Sequence, residues 1–331
     1  MQSIILEILD MILELKLGGN GMLWWLLGIT VTAALILWAA RFCYRLVFFN
    51  RNDKESDPLA VPPGDQYAEL ADEMLQVIGE LMQVPYESVF ITSRDGLKLF
   101  GRYYHFRDGA PVQLQFHGYR GNGIREYAGG HAMAMKMGYN TIVVDERAHG
   151  KSQGHTITFG IKERYDVLDW IDYTLKRFGK DTKIILSGVS MGAATVLMAS
   201  DLDIPKNVVA ITADCPYSAP GEIIRKVSRD VRIPGWLAYP FIALGGWLYG
   251  GFAIWSASAV KSVKNAKAPI HLIHGDDDRF VPCEMSRKIL NACTGKARLV
   301  VIKDAGHGLS FLKDREKYEK AFMGFLKECG I

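Results

Sequence analysis

The chain has 331 residues, of which 49% are hydrophobic and 23% are charged, and its formal net charge is +3. This length suffices for one large domain or two small ones, and the weak charge, without a basic run interleaved with aromatic residues, does not indicate nucleic-acid binding. The five cysteines form no C-x-x-C motif, so zinc and redox patterns are excluded and a reducing compartment is favoured.

Residues 1–21 are predicted to form an amphipathic segment. Its apolar residues repeat at helical spacing and face four polar ones, Ser3, Glu7, Asp10 and Glu14. Because this polar face is acidic, it argues against adsorption to anionic lipid. A plain leader and a helix that binds a partner both remain open.

Residues 22–48 are predicted to be a transmembrane anchor, because 22–40 carries no charge and is long enough to cross a bilayer as a helix. A cleaved signal peptide is the alternative. It would need a basic n-region and a small residue where Trp38 stands before Ala40. Arginines follow the span and only Lys16 precedes it, so the positive-inside rule predicts a single-pass membrane protein with a cytoplasmic C-terminal part.

Residues 49–85 are predicted to be a linker with a lead-in helix over 66–83. From residue 86, two strand-like runs flank an Asp95-Gly96 turn, which is typical of a hairpin. Beyond it strands and helices alternate. Strands are expected at 112–116, 141–145, 183–187, 208–213, 270–274 and 299–302, and helices near 125–137, 160–178, 190–202, 283–293 and 311–328.

The strand runs are apolar without alternation, which is typical of strands buried on both faces. The pattern therefore predicts an α/β fold with a mostly parallel central sheet flanked by helices. Residues 216–265 interrupt the alternation and are predicted to be an inserted helical cap. A second transmembrane hairpin is the alternative, since 233–255 is strongly apolar, but Pro234, Pro240 and paired glycines favour the cap.

The sequence Gly188-Val189-Ser190-Met191-Gly192 stands between a predicted strand and a predicted helix. In that setting G-x-S-x-G is a nucleophile elbow, in which a strained turn lifts the serine hydroxyl clear of the sheet. The flanking glycines are needed because side chains there would collide with neighbouring backbone. The Met191 N–H would then lie at a helix N-terminus, where it can stabilise developing negative charge.

A serine needs a base to remove its proton, and histidine has the appropriate pKa. His307 is the candidate, because it follows the last strand between two glycines. The base in turn needs a carboxylate, and the loop at 276–278 offers three aspartates. Along the chain the nucleophile Ser190 comes first, the acid second and the histidine last. This is the order expected of one hydrolase fold.

On these motifs the chain resembles the α/β-hydrolase superfamily from about residue 86 to the C-terminus. Within it, the likeness is greatest to bacterial hydrolases related to monoacylglycerol lipases and to prolyl-aminopeptidase-like enzymes. The family pattern H-G-x-x-D-x-x-V-P matches His274, Gly275, Asp278, Val281 and Pro282. The resemblance therefore implies that Asp278 is the acid of the triad.

The family's H-G motif after its third strand matches His117-Gly118. This implies that the Tyr119 N–H is a second oxyanion donor beside Met191, with His117 as a structural brace. Arg120 either meets an anionic substrate group or is a solvated loop residue. Residues 145–152 resemble the family's D-x-R-x-H-G-x-S loop, which is structural there; a metal site is the alternative.

The resemblance implies a membrane-anchored serine hydrolase that cleaves small-molecule carboxylic esters through an acyl-enzyme. The anchor and the aromatic insertion suggest an apolar acyl group. No cofactor, metal or nucleic-acid partner is expected. An aminopeptidase would need an acidic clamp, for which the insertion offers only Glu222 and Asp230. An acyltransferase with the same triad and a non-catalytic membrane scaffold also remain open.

Overall fold

The computed structural model describes residues 7, 11, 21–51 and 57–331. The predicted amphipathic segment over 1–21 lies almost wholly outside these described residues, as does part of the predicted linker.

The described chain begins with a long helix, continues through two short lead-in helices, and then alternates strands and helices. The helices are α1 (Gly21–Val47), α2 (Asp65–Ala68), α3 (Ala71–Met82), α4 (Gly123–Met137), α5 (Glu163–Phe178), α6 (Met191–Ala199), α7 (Pro220–Asp230), α8 (Gly235–Gly250), α9 (Ala259–Ser262), α10 (Glu284–Ala292), α11 (Ser310–Lys313) and α12 (Arg315–Glu328). The strands are β1 (Glu87–Thr92), β2 (Lys98–Tyr104), β3 (Val112–Phe116), β4 (Asn140–Asp145), β5 (Ile184–Val189), β6 (Val208–Asp214), β7 (Ile270–Gly275) and β8 (Ala297–Ile302).

All eight strands belong to one sheet with the order β1-β2-β4-β3-β5-β6-β7-β8. β1 and β2 form the predicted hairpin, β2 runs antiparallel to β4, and the pairs from β4 through β3 to β8 are parallel. The predicted mostly parallel sheet is therefore confirmed. Parallel strands end at the same edge of a sheet, so the loops after β3, β5, β6, β7 and β8 meet above it.

Two predicted helices are each divided into two pieces. The predicted helix over 66–83 becomes α2 and α3, and the predicted C-terminal helix becomes α11 and α12. At the second break Asp314 is extended, and its carboxylate accepts a hydrogen bond from the Lys317 N–H. An aspartate in this position caps a new helix and ends the preceding one, which periodicity alone does not reveal.

The apolar helix α1 is exposed for most of its length and contacts the domain over its C-terminal half, where the Tyr249 hydroxyl donates to the Leu37 carbonyl at 3.3 Å. It has 27 residues, and its most apolar window has a mean hydropathy of 1.9 with no residue buried. Ala40 is buried where α1 contacts α8, and a side chain at Gly245 would collide with the Ala40 carbonyl. α8 itself has 16 residues, fewer than the ~20 that a membrane-spanning helix needs.

Candidate active site

Ser190 lies in the turn between β5 and α6 with strained backbone angles, φ 54° and ψ −113°. The flanking glycines permit this turn. A Cβ at Gly188 would lie 2.3 Å from the Gly192 backbone, and one at Gly192 would lie 1.9 Å from the Phe116 carbonyl oxygen. The turn therefore has the geometry of a nucleophile elbow, and the hydroxyl points away from the sheet toward the loop after β8.

Ser190, His307 and Asp278 form a continuous hydrogen-bond relay. His307 Nε2 lies 2.9 Å from Ser190 Oγ, and His307 Nδ1 lies 2.7 Å from Asp278 Oδ2. An ionised carboxylate only accepts hydrogen bonds, so Nδ1 carries the proton and Nε2 is left to accept the serine proton. Three side chains separated by up to 117 positions in sequence are thereby in reacting contact.

Burial alone would raise the pKa of Asp278, but nearby groups outweigh this effect. The electrostatic influence of His307 and hydrogen bonds from His274 and His307 hold the pKa of this carboxyl well below its usual range. Its second oxygen, Oδ1, accepts the N–H groups of Phe280 and Val281 at 2.9 and 2.7 Å. Asp278 is thus ionised and fixed in orientation at neutral pH.

The loop that carries His307 is held by residues that the sequence analysis did not identify. The hydroxyl of Tyr67, in the short helix α2, donates to the His307 carbonyl at 2.9 Å. The ring of Phe280 lies 5.1 Å from the imidazole. No local sequence signal connects Tyr67 to a residue 240 positions away, and only the folded chain reveals the contact.

The predicted oxyanion loop after β3 passes directly beside the serine. A Cβ at Gly118 would lie 3.2 Å from the Ser190 Cβ. Glu126 on α4 accepts the Gly118 N–H, a role that the sequence analysis missed. Met191 is the first residue of α6, where N–H groups have no intrahelical partner. Tyr119 follows Gly118 in the chain, and Met191 follows Ser190. Gly118 and Ser190 lie beside each other at the serine hydroxyl.

Two buried histidines brace this loop. His117 Nδ1 contacts the Gly118 carbonyl, and its Nε2 accepts the Glu146 N–H at 3.0 Å. His149 Nε2 accepts the Arg120 N–H at 3.0 Å while its Nδ1 faces the Arg147 carbonyl. Burial, followed by repulsion from His117, lowers the pKa of His149 to about 3. The imidazole is neutral, as its acceptor role requires.

Two charged residues of the loop 145–152 form ion pairs with other parts of the domain. Arg147 forms ion pairs with Asp95 and Asp166 at 2.8 and 2.6 Å. Asp145 pairs with the buried Arg102 at 2.6 Å. These contacts occupy Arg147 and Asp145, whereas the buried Glu146 carboxyl has no hydrogen-bond partner among the described residues and burial raises its pKa well above its usual value.

One group of side chains among the described residues has metal-ligand spacing. The ligand atoms of Cys215, Asp278 and His307 lie within 4.8 Å of one another. Two of them belong to the relay. Burial, followed by the carboxylates of Asp214 and Asp278, raises the pKa of the Cys215 thiol well above its usual value. A neutral thiol is a poor ligand, so this group fits the relay better than a cation.

A cavity of about 520 Å³ opens beside Ser190 and His307. Its apolar wall comes from the lead-in segment, α4 and α11, with Met74, Val77, Ile78, Phe311 and Leu312. None of its lining residues belongs to 216–265, all of which the structure describes. The expectation that the aromatic insertion supports an apolar substrate is therefore corrected. The insertion instead contacts α1, and Trp236 and Trp247 are exposed.

The floor of the cavity carries a buried carboxyl group, Asp214 at the end of β6. The Ser310 hydroxyl donates to it at 3.2 Å, and Tyr318 is a second partner. Burial raises the pKa of Asp214 to about 6, against the opposing influence of His274 and His307. This carboxyl is a polar feature of the cavity that the motifs did not predict.

The sheet order, the elbow and the positions of the three relay loops define the α/β-hydrolase fold. Residues 116–239 match the family model described as alpha/beta hydrolase fold. The chain therefore has the α/β-hydrolase fold and is similar in sequence to proteins of that superfamily. The more specific likeness to monoacylglycerol lipases or prolyl aminopeptidases stays a prediction.

Known proteins resemble the chain over most of this domain. The Bacillus subtilis protein YqkD, which is uncharacterized, is 25% identical over 193 residues, 58% of this chain. This chain spans 63% of that relative's length. The non-heme chloroperoxidase CPO-A1 of Kitasatospora aureofaciens is 25% identical over 72% of this chain and 98% of its own. The Pyrococcus furiosus esterase Pf2001 superposes with a TM-score of 0.60 at 25% identity, covering 76% of this chain and 94% of the esterase.

Proposed function

We propose that this protein is a membrane-anchored serine hydrolase that cleaves carboxylic esters with an apolar acyl group. Ser190 is the nucleophile, His307 the base and Asp278 the acid that orients it. The N–H groups of Tyr119 and Met191 form the oxyanion hole. The relay from Asp278 through His307 to Ser190, with contacts of 2.7 and 2.9 Å, carries this proposal.

The geometry supports a two-step mechanism. His307 removes the Ser190 proton as the oxygen attacks the ester carbonyl, and the ionised Asp278 stabilises the imidazolium that forms. The two N–H groups stabilise the negative charge of the tetrahedral intermediate; one such donor is worth about 3 kcal/mol. His307 then protonates the leaving alcohol and activates the water that hydrolyses the acyl-enzyme.

The cavity supports the choice of substrate. Its walls are mainly aliphatic and aromatic, and its volume lies within the range typical of small-molecule sites. The similar Pyrococcus furiosus protein is titled an esterase. An apolar acyl chain that enters beside Ser190 would be buried against Met74, Ile78 and Phe311.

The helix α1 supports the anchor. Its exposed apolar surface has the length of a membrane span. A signal sequence would satisfy the same test, but the buried Ala40 and the fully buried Phe48 tie this segment into the domain core, so cleavage would open that core. The arginines at 41, 45 and 51 favour a cytoplasmic catalytic domain. A reporter fused to the C-terminus tests this orientation.

Labelling with a fluorophosphonate, followed by a chain-length series of p-nitrophenyl esters, tests the activity. The wild type is expected to label and to hydrolyse esters. Ser190→Ala is expected to lose both, with a fall in kcat of at least about 10⁴-fold. Ser200→Ala, another buried serine at the end of α6, is the matched control and should retain both.

Labelling that persists in Ser190→Ala would contradict the assignment of the nucleophile. Faster turnover of aminoacyl anilides than of esters would favour the aminopeptidase. Transesterified product in the presence of an acceptor alcohol would favour the acyltransferase. An unlabelled, inactive wild type would favour the membrane scaffold.

A further inference from the structure

The C-terminal end of α1 is in direct contact with the oxyanion loop. The Tyr119 hydroxyl donates to the Val47 carbonyl at 2.7 Å. The Arg120 guanidinium donates to the carbonyls of Leu46 and Phe49 at 3.0 and 3.1 Å. The last carbonyls of a helix lack intrahelical donors and carry partial negative charge. An arginine placed there satisfies both needs, and Arg120 does so while its side chain stays exposed to solvent.

The end of α1 is itself fixed rigidly in the catalytic domain. Phe48 is fully buried, and its ring makes edge-on contacts with Phe159 and Phe252 at 5.7 and 5.0 Å. The Tyr44 hydroxyl lies 2.7 Å from the Thr156 hydroxyl. Phe48 and Tyr44 thus attach the segment 44–49 to the domain, although Leu46 within it is exposed.

The oxyanion loop needs such support because its backbone is strained. Arg120 has a φ of 51°, which a residue with a side chain rarely adopts. His149 holds the backbone N–H of Arg120 from inside the domain. The end of α1 holds the side chains of Tyr119 and Arg120 from outside, where the guanidinium also lies 5.1 Å from the tyrosine ring.

We propose that the end of α1, which accepts hydrogen bonds from Arg120 and Tyr119, positions the oxyanion hole. The inference rests on the proposed function, because it takes the Tyr119 N–H as an oxyanion donor. That N–H belongs to the residue whose hydroxyl binds Val47. Arg120 and the Tyr119 hydroxyl are positioning residues, which act on the reaction through the backbone between them. The helix α1 then has two roles: it anchors the domain to the membrane, and it positions a loop of the catalytic site.

The test compares full-length variants in one detergent. Arg120→Gln and Tyr119→Phe remove the contacts to α1 and keep the Tyr119 N–H. Because an oxyanion donor binds only the tetrahedral state, kcat is expected to fall about tenfold to a hundredfold, with KM changed by less than about twofold. The double variant should be about as impaired as the worse single one, because both contacts hold one loop.

Arg94→Gln and Tyr165→Phe provide the matched control. This arginine and tyrosine also form a cation–π pair, at 5.4 Å, outside the candidate site. Both control variants should keep the kcat of the wild type. Arg120→Lys should recover part of the lost kcat, since an ammonium group can still donate to one carbonyl at the end of α1.

The outcomes separate the two proposals. If the wild type hydrolyses esters and both Arg120→Gln and Tyr119→Phe keep its kcat, the positioning role is wrong while the proposed function stands. A rise in KM at constant kcat would also overturn it, because that is the signature of a substrate contact. If Arg120→Gln does not fold, Tyr119→Phe, which removes a single hydroxyl, decides. A wild type without ester activity and without labelling at Ser190 would refute the proposed function itself.

Discussion

The helices α1 and α6 are both rich in apolar residues, and their surroundings are opposite. All nine residues of α6 are buried, whereas the structure buries only Ala40 among the residues of α1. α6 lies against the sheet and begins at the candidate nucleophile. α1 leaves the domain with its apolar side chains uncovered, in the manner of a helix that a bilayer surrounds.

This difference shows that apolar composition says only that a helix avoids water. Whether protein or lipid covers it depends on what the rest of the chain supplies. For α6 that is the sheet, with β3 and β5 passing close to its first turn. For α1 the domain supplies α8 and the oxyanion loop, both toward the C-terminal end of the helix.

Glycine-to-alanine changes in the two helices provide the largest contrast. Gly192→Ala in α6 would place a Cβ 1.9 Å from the Phe116 carbonyl oxygen, whereas a Cβ at Gly28 in α1 would meet nothing within 4 Å. We expect Gly192→Ala to lower the free energy of unfolding by more than about 4 kcal/mol. Gly28→Ala should be neutral or stabilise by up to about 1 kcal/mol. Thermal unfolding of both variants in one detergent measures this. Equal midpoints would contradict the comparison.

A second contrast lies between the exposed side chains of α1 and the buried residue that follows the helix. Phe48 is fully buried, while Phe42, six residues earlier, is 56% exposed. Phe48→Ala is expected to cost about 3–5 kcal/mol of unfolding free energy, and Phe42→Ala less than about 1 kcal/mol in detergent. Denaturant titration of both variants checks this. A similar loss in both would mean that the face of α1 that carries Phe42 is also packed against the domain.

The smallest expected effect concerns the buried carboxyl group of Asp214, in contrast to the exposed surface of α1. The pKa of Asp214 is raised by burial from 3.8 to about 6, so the folded state keeps a proton that the unfolded chain releases. The retained proton raises the free energy of unfolding below pH ~4, and this contribution is lost as the pH rises through ~6. The total loss is up to about 3 kcal/mol. Asp214→Asn should therefore be more stable, relative to the wild type, at pH ~8 than at pH ~4. Unfolding midpoints across this range test the sign. A constant difference would contradict it.

Local patterns predicted much of the geometry of the candidate site. The elbow around Ser190 depends on two nearby glycines, and the loops of Asp278 and His307 each follow a strand. Because parallel strands end at one edge of a sheet, the alternation of elements predicts that these loops meet. Where a single residue ended an element, as Asp314 divides the last helices, periodicity was insufficient.

The sequence alone predicts the order of strands and helices, the strained turn at Ser190 and the apolar length of α1. Each of these features depends on neighbours within a few residues. Folding was needed to establish that Glu126 and Tyr67 hold the reacting loops, that the lead-in helices form the wall of the cavity and that Arg120 caps the end of α1. Those contacts join segments between 8 and 240 positions apart. Their partners are a backbone N–H or carbonyl, which almost every amino acid carries, so no residue pattern marks them in advance.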